Sequence, residues 1–160
     1  MQLSAQPSAG GREGGSILFA TPSIRTFRGS LLLLLIFVVP LGIASKFYSG
    51  PAQFWVRGYA GGVLYVVFWI LLALVFWPTL SSRLVALTVL GITCILEVLQ
   101  LWHPSALEAI RGTFIGQALI GSTFGWWDFP HYVLGAVLGM LFVRWARARA
   151  SGSRQPNSAA

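Results

Sequence analysis

The stretch LVALTVLGITCILEVLQLW, Leu84 to Trp102, decides the class of this chain: nineteen residues carry a single charge, Glu97. A run of that length crosses a bilayer as a helix. Glu97 is one of only four acidic residues in 160, and a carboxylate at the middle of a spanning helix costs about 2.5 to 3.5 kcal/mol on insertion scales. Such a residue turns toward protein or water, so the reading of function begins with its neighbours. Thr93, Glu97 and Gln100 follow at i, i+4 and i+7 and share one helical stripe.

Outward from this run the rest of the chain agrees. It is 56% hydrophobic and 9% charged, too apolar to present an ordinary water-facing surface. Three more apolar runs follow the same logic. The first is Ser30 to Ser45, bounded by Arg28 and Lys46, with Pro40 placed to kink it; the second runs from Tyr59 to Trp77 and stops at Pro78; the last runs from Pro130 to Arg144. Gly112 to Gly125, GTFIGQALIGSTFG, is apolar but too short to cross, and reads as a re-entrant or interfacial segment packed against protein. The expected fold is therefore all-α: a polytopic membrane protein of four transmembrane helices plus this short Gly-rich segment. Residues 1–27 are expected to be a disordered cytoplasmic leader, 28–145 the membrane domain, and 146–160 a disordered basic cytoplasmic tail.

Four spans put both termini on one side. Arg12, Arg25, Arg28, Arg83, Arg144, Arg147, Arg149 and Arg154 fall there, against Lys46, Arg57 and Arg111 opposite, and eight against three predicts cytoplasmic termini. Trp77 and Trp145 then lie at the inner boundary, and Trp55, Trp102, Trp126 and Trp127 at the outer one. A competing reading takes Leu31 to Val39 as the core of a signal peptide cleaved after Gly42-Ile43-Ala44. The long polar leader, and the odd number of crossings that cleavage would leave, weigh against it.

The net charge of +7 does not point to nucleic acid, because the basic residues flank apolar runs and form no basic helix or aromatic-basic platform. Cys94 is the single cysteine, so no internal disulfide forms. No metal, nucleophile or phosphate-loop motif occurs: Glu97, His103, Asp128 and His131 have no metal-ligand spacing, and no Gly-x-Ser-x-Gly pattern is present. Neither a cofactor nor an enzymatic activity is expected.

The candidate site is a polar set at the outer end. Asp128, His131, Gly135 and Gly139, at i, i+3, i+7 and i+11, form a stripe whose glycines permit close helix approach. Packed against the Thr93/Glu97/Gln100 stripe, it brings together Glu97, Gln100, Arg111, Asp128 and His131, with Lys46, Arg57 and His103 on the same side. The two carboxylates are expected to pair with Arg111, Arg57 or Lys46. Two readings stay open: a structural clasp, and an outward pocket for a head group.

The strings PLGIASKFYSGPAQFWVRGYAGGVLYVVFW (Pro40 to Trp69) and TCILEVLQLWHPSALEAIRGTFIGQALIGSTFGWWDFPHYVLGAVLG (Thr93 to Gly139) resemble the DUF2809 family of small bacterial membrane proteins, across most of residues 28–145. More distantly, Glu97-x-x-Gln100, Arg111, Asp128 and Gly135-x-x-x-Gly139 are similar to VanZ-like proteins, named for a teicoplanin-resistance protein, although His131 stands where an Asn-like residue would be expected. The first resemblance implies a bacterial inner or thylakoid membrane and no established activity. The second implies a cell-envelope role, with lipid or a cell-wall precursor as ligand. An accessory subunit of a larger membrane complex, a homo-oligomer and a small proton-coupled transporter are the alternatives.

Overall fold

Each apolar run becomes a helix because the hydrocarbon phase leaves backbone N–H and C=O groups no partner but one another. A computed structural model describes residues 23–113, 115–116 and 124–152. Helix α1 is Ile24–Phe47, α2 Gln53–Phe76, α3 Ser82–Leu99, α4 Ser105–Arg111 and α5 Asp128–Gly152. All but the short α4 are long and apolar enough to span a membrane. Ile36, Phe37, Leu87 and Ile95 are each about two-thirds exposed, an outward apolar surface that suits lipid and not water.

The four spans are longer than the apolar runs alone predict, chiefly at their ends. α1 begins at Ile24, inside the expected leader, and Pro40 lies within it. α2 starts six residues before Tyr59, at Gln53, and its second turn, Val56–Ala60, is wound as a π-helix. α5 continues to Gly152, past the expected boundary at 145. The reason lies in packing: Ala146 and Ala150 are fully buried, Ser23 N donates to Ala150 O at 3.4 Å, and the Arg147 guanidinium lies 5.4 Å from the centroid of Phe27. The residues expected to form a free tail from 146 thus pack, as far as Gly152, against the start of α1.

α2 and α5 form the centre of the bundle; both touch α1 and α3, and they pack extensively on each other. Their seam joins Val63, Val66 and Ile70 of α2 to Gly135 and Gly139 of α5. A Cβ on Gly135 would stand 2.6 Å from the Val63 carbonyl oxygen, closer than any side chain tolerates. The glycine stripe therefore faces the second span, not the third as its register with Glu97 suggested. Leu31, Ile70, Leu71, Leu74 and Val143 complete an apolar core with essentially no exposure.

Of the Gly-rich stretch 112–125, residues 114 and 117–123 lie outside the described residues, so its expected re-entrant path is not addressed; α4 precedes it, and Gly125 leads into α5.

Candidate functional site

Glu97 is placed two residues before the end of α3, on the face turned into the bundle, and is 1% exposed. Its carboxylate accepts from three donors brought by three parts of the chain. Gly125 N donates to Oε1 at 2.8 Å, while Gln100 Nε2 at 3.0 Å and the Tyr132 hydroxyl at 2.5 Å both donate to Oε2. The Asp128 side chain lies within electrostatic reach of the same group. Short charge-assisted bonds like these three are the strong ones, and they offset the cost of burying the carboxylate.

The local sequence explains why these groups meet. Gln100 is one turn after Glu97, and Tyr132 is one turn after Asp128 on α5. Gly125 leaves room for the neighbouring carboxylate: a Cβ there would sit 2.5 Å from Asp128 Oδ2, which would have to turn aside. Thr93, the third member of the polar stripe, is not part of the cluster, since its hydroxyl donates to Val89 O of its own helix at 2.8 Å.

The expected ion pairing of Glu97 with Arg111 does not form. Arg111 is buried one step away and makes the single ion pair among the described residues, Nη1 to Glu108 Oε1 at 2.8 Å. Its remaining bonds, Nη1 to Trp102 O at 3.0 Å and Nη2 to Leu99 O at 2.9 Å, cap the carbonyl end of α3. An arginine at i+3 from Glu108 on a short helix has a nearer carboxylate than the one in the core, and helix-end carbonyls attract a cation. His103 is exposed and lies with Leu101 O, outside the cluster.

His131 is also elsewhere. Its Nδ1 lies 2.6 Å from Trp127 O, and its Nε2 lies 2.9 Å from the indole Nε1 of Trp55, which can only donate. The tautomer that satisfies both contacts has the proton on Nδ1. Tyr59 stacks on the imidazole with centroids 4.5 Å apart. With both ring nitrogens engaged, His131 has no lone pair left for a metal. Among the described residues no group of three potential metal ligands occurs.

Beside this aromatic wall lie the two remaining cations of that end. Arg57, in the π-wound turn of α2, donates from Nε to Lys46 O at 3.1 Å. The Lys46 ammonium lies along Gly61, one turn further, 3.4 Å from where a Cβ would stand, and within electrostatic reach of Asp128. Ala52, just before α2, has φ 58°, the left-handed conformation that costs a non-glycine residue about 1 kcal/mol or more. The bundle end thus has an inner clasp around Glu97 and an outer basic-aromatic corner.

The family described as protein of unknown function (DUF2809) matches residues 52–136, more than half of the 160-residue chain. The chain belongs to the DUF2809 family. No curated protein and no solved structure matches it. The DUF2809 match runs from the residue before α2 to the first third of α5, and so takes in Glu97, Gln100, Arg111, Gly125, Asp128 and Tyr132. Lys46 and Gly139 fall outside it. As a DUF2809 member with four spanning helices, the protein is an integral membrane protein.

Tyr132 is the functional residue that sequence reasoning missed. The signal was present in the spacing, since Asp128, Tyr132, Gly135 and Gly139 make a better-kept stripe than the same series with His131. A phenol in the membrane needs an acceptor for its hydroxyl, and Glu97 was the available one.

Proposed function

We propose that this DUF2809 protein is a non-enzymatic membrane protein that binds the phosphate-bearing head group of a lipid or cell-envelope precursor at the bundle end that carries Glu97. That end faces away from the cytoplasm in this reading, by the eight-to-three distribution of basic residues. The observation that carries it is the π-wound turn of α2, which holds Arg57 Nε on the Lys46 carbonyl at the end that carries the Trp55/His131/Tyr59 wall, with both cationic side chains exposed. Single π-turns inside α-helices are frequent at functional sites, and two exposed cations at one bundle end without an ion-pair partner among the described residues suit an anionic oxygen cluster.

In this reading Glu97 is not the ligand contact. Its oxygens are occupied and enclosed, so it serves as the clasp that fixes Gly125 and the start of α5, and with them the His131 side of the corner. A proton-coupled carrier finds less support, because the core beneath Glu97 is built of Leu, Ile and Val side chains with no polar path among the described residues.

Lipid analysis by mass spectrometry of protein purified in mild detergent tests the proposal. A phosphate-bearing lipid or precursor should copurify with the wild type and be lost from Lys46→Gln/Arg57→Gln, both exposed positions whose exchange leaves the bundle folded. Equal recovery from the two proteins refutes it.

A further inference from the structure

An apolar groove lies at the opposite end of the bundle. α3 and α5 run antiparallel, and on their outward side they leave a groove of about 370 Å³. Small residues make it: Ala86 and Ala136 are buried at its floor, while Leu87, Leu90, Val137 and Met140 form its walls. From Arg83 at the mouth to Leu90 at the far end is seven residues, about 10 Å of helix. That is roughly two-thirds of one leaflet of hydrocarbon.

Cations flank the mouth. Arg83 borders it through the aliphatic part of its side chain, and Arg144, just outside the groove, lies one turn beyond Met140 on the same face of α5. The two stand at one level, because Arg147, one turn nearer the end of the helix, donates to Leu80 O at 2.9 Å just before α3 begins. Three other arginines of this end are occupied by protein: Arg28 donates to Phe76 O, Arg147 covers Phe27, and Arg149 lies over Trp145, while Arg25 is exposed at the start of α1, away from the groove lining. Arg83 and Arg144 are exposed, and neither makes a hydrogen bond or ion pair among the described residues. The described acidic residues, Glu97, Glu108 and Asp128, all belong to the other end, so none of the described carboxylates neutralises the pair.

We infer that this groove holds one acyl chain of an anionic phospholipid whose phosphate is bridged by Arg83 and Arg144. Apolar walls select a chain, the paired arginines select a negative head group, and the 10 Å spacing between mouth and end keeps both on one molecule. The site is independent of the Lys46/Arg57 corner, which lies on the other side of the bilayer.

Native mass spectrometry of the delipidated full chain tests it, with phosphatidylglycerol and phosphatidylcholine of identical acyl chains added in turn. Two arginines at the surface should favour the anionic lipid by about tenfold or more. Arg83→Gln/Arg144→Gln should bring the two lipids to parity, and Val137→Trp, on an exposed wall, should displace both from the site; a thermal melt confirms that each variant is folded. Lys46→Gln/Arg57→Gln should leave the preference in place. Wild-type protein that retains both lipids equally overturns the inference, as does an unchanged preference in Arg83→Gln/Arg144→Gln. Loss of the preference on adding millimolar inorganic phosphate also overturns it, because the arginines would then be a site for the free anion. If only Lys46→Gln/Arg57→Gln removes the preference, the groove fails and the corner stands.

Discussion

At the scale of single residues, Glu97 organises its surroundings through the number of donors it satisfies. Glu97→Ala would leave the Gly125 amide, the Gln100 amide and the Tyr132 hydroxyl facing a cavity, each unsatisfied group costing about 1 to 3 kcal/mol. A loss of about 3 kcal/mol or more is expected in denaturant titration of the detergent-solubilised protein. Glu97→Gln should cost less, about 1 to 2 kcal/mol, since its amide still accepts from one donor and the hydroxyl of Tyr132 can reverse its role. Asp128→Asn removes the second acidic group beside Glu97. With the like charge gone and the shape kept, the variant should be as stable as the wild type or more stable. A loss as large as that of Glu97→Ala would mean that Asp128 is needed as a charge. Glu97 could be singled out in the sequence because a lone carboxylate in an apolar run is costly wherever it points. Its partners could be read only in part: Gln100 and Asp128 follow from helical spacing, whereas the Gly125 amide is a backbone group with no signature in residue type. Arg111 misled for a physical reason, since opposite charge suggests a pair but a helix end with open carbonyls and a carboxylate at i−3 hold a guanidinium better.

Among elements, the decisive contact is α2 on α5, and it depends on the missing side chain of Gly135. Gly135→Val would place carbon against the Val63 carbonyl and the Val66 side chain, and the helices would have to separate. Overpacking of this kind costs about 1 to 3 kcal/mol. Gly91→Ala is the natural contrast: it is also a helical glycine, on α3, but nothing lies within 4 Å of the added carbon. It should leave stability unchanged or raise it by about 0.5 to 1 kcal/mol through helix propensity alone. Equal effects of the two changes in the same melt would show that the seam is not set by glycine. The existence and number of the spans were legible because each is a long apolar run bounded by Arg, Lys or Pro. Which stripe faced which helix was not, since α5 is apolar on its lipid side as well as its protein side, and periodicity cannot tell one from the other. The extension of α5 to Gly152 was hidden for a related reason: the Arg-rich sequence from Arg144 reads as a polar tail, yet the alanines at 146 and 150 keep the buried stripe going beneath the arginines.

For the whole molecule, the two ends differ in how they treat charge, and the difference predicts sidedness. The Glu97 end collects every described acidic residue and holds Glu97 and Arg111 in bonds within the bundle, while the other end carries arginines that bond to helix carbonyls, stack on aromatic rings or stand free. An end rich in arginine is retained on the cytoplasmic side during insertion. Single cysteines in a Cys94→Ser background can read this directly. Ser49→Cys, in the α1–α2 connection, and Thr113→Cys, after α4, are exposed positions at the Glu97 end; Ser81→Cys is exposed before α3 at the other. A membrane-impermeant maleimide added to intact cells should label the first two and reach Ser81→Cys only after permeabilisation. The reverse pattern would turn the protein over, placing the Lys46/Arg57 corner in the cytoplasm and the Arg83/Arg144 groove in the outer leaflet. Labelling of Ser49→Cys and Thr113→Cys from opposite sides would be more serious, since their separation across the bilayer would break the pairing of α3 and α5 on which the contact of Glu97 with Gly125 and Tyr132 depends.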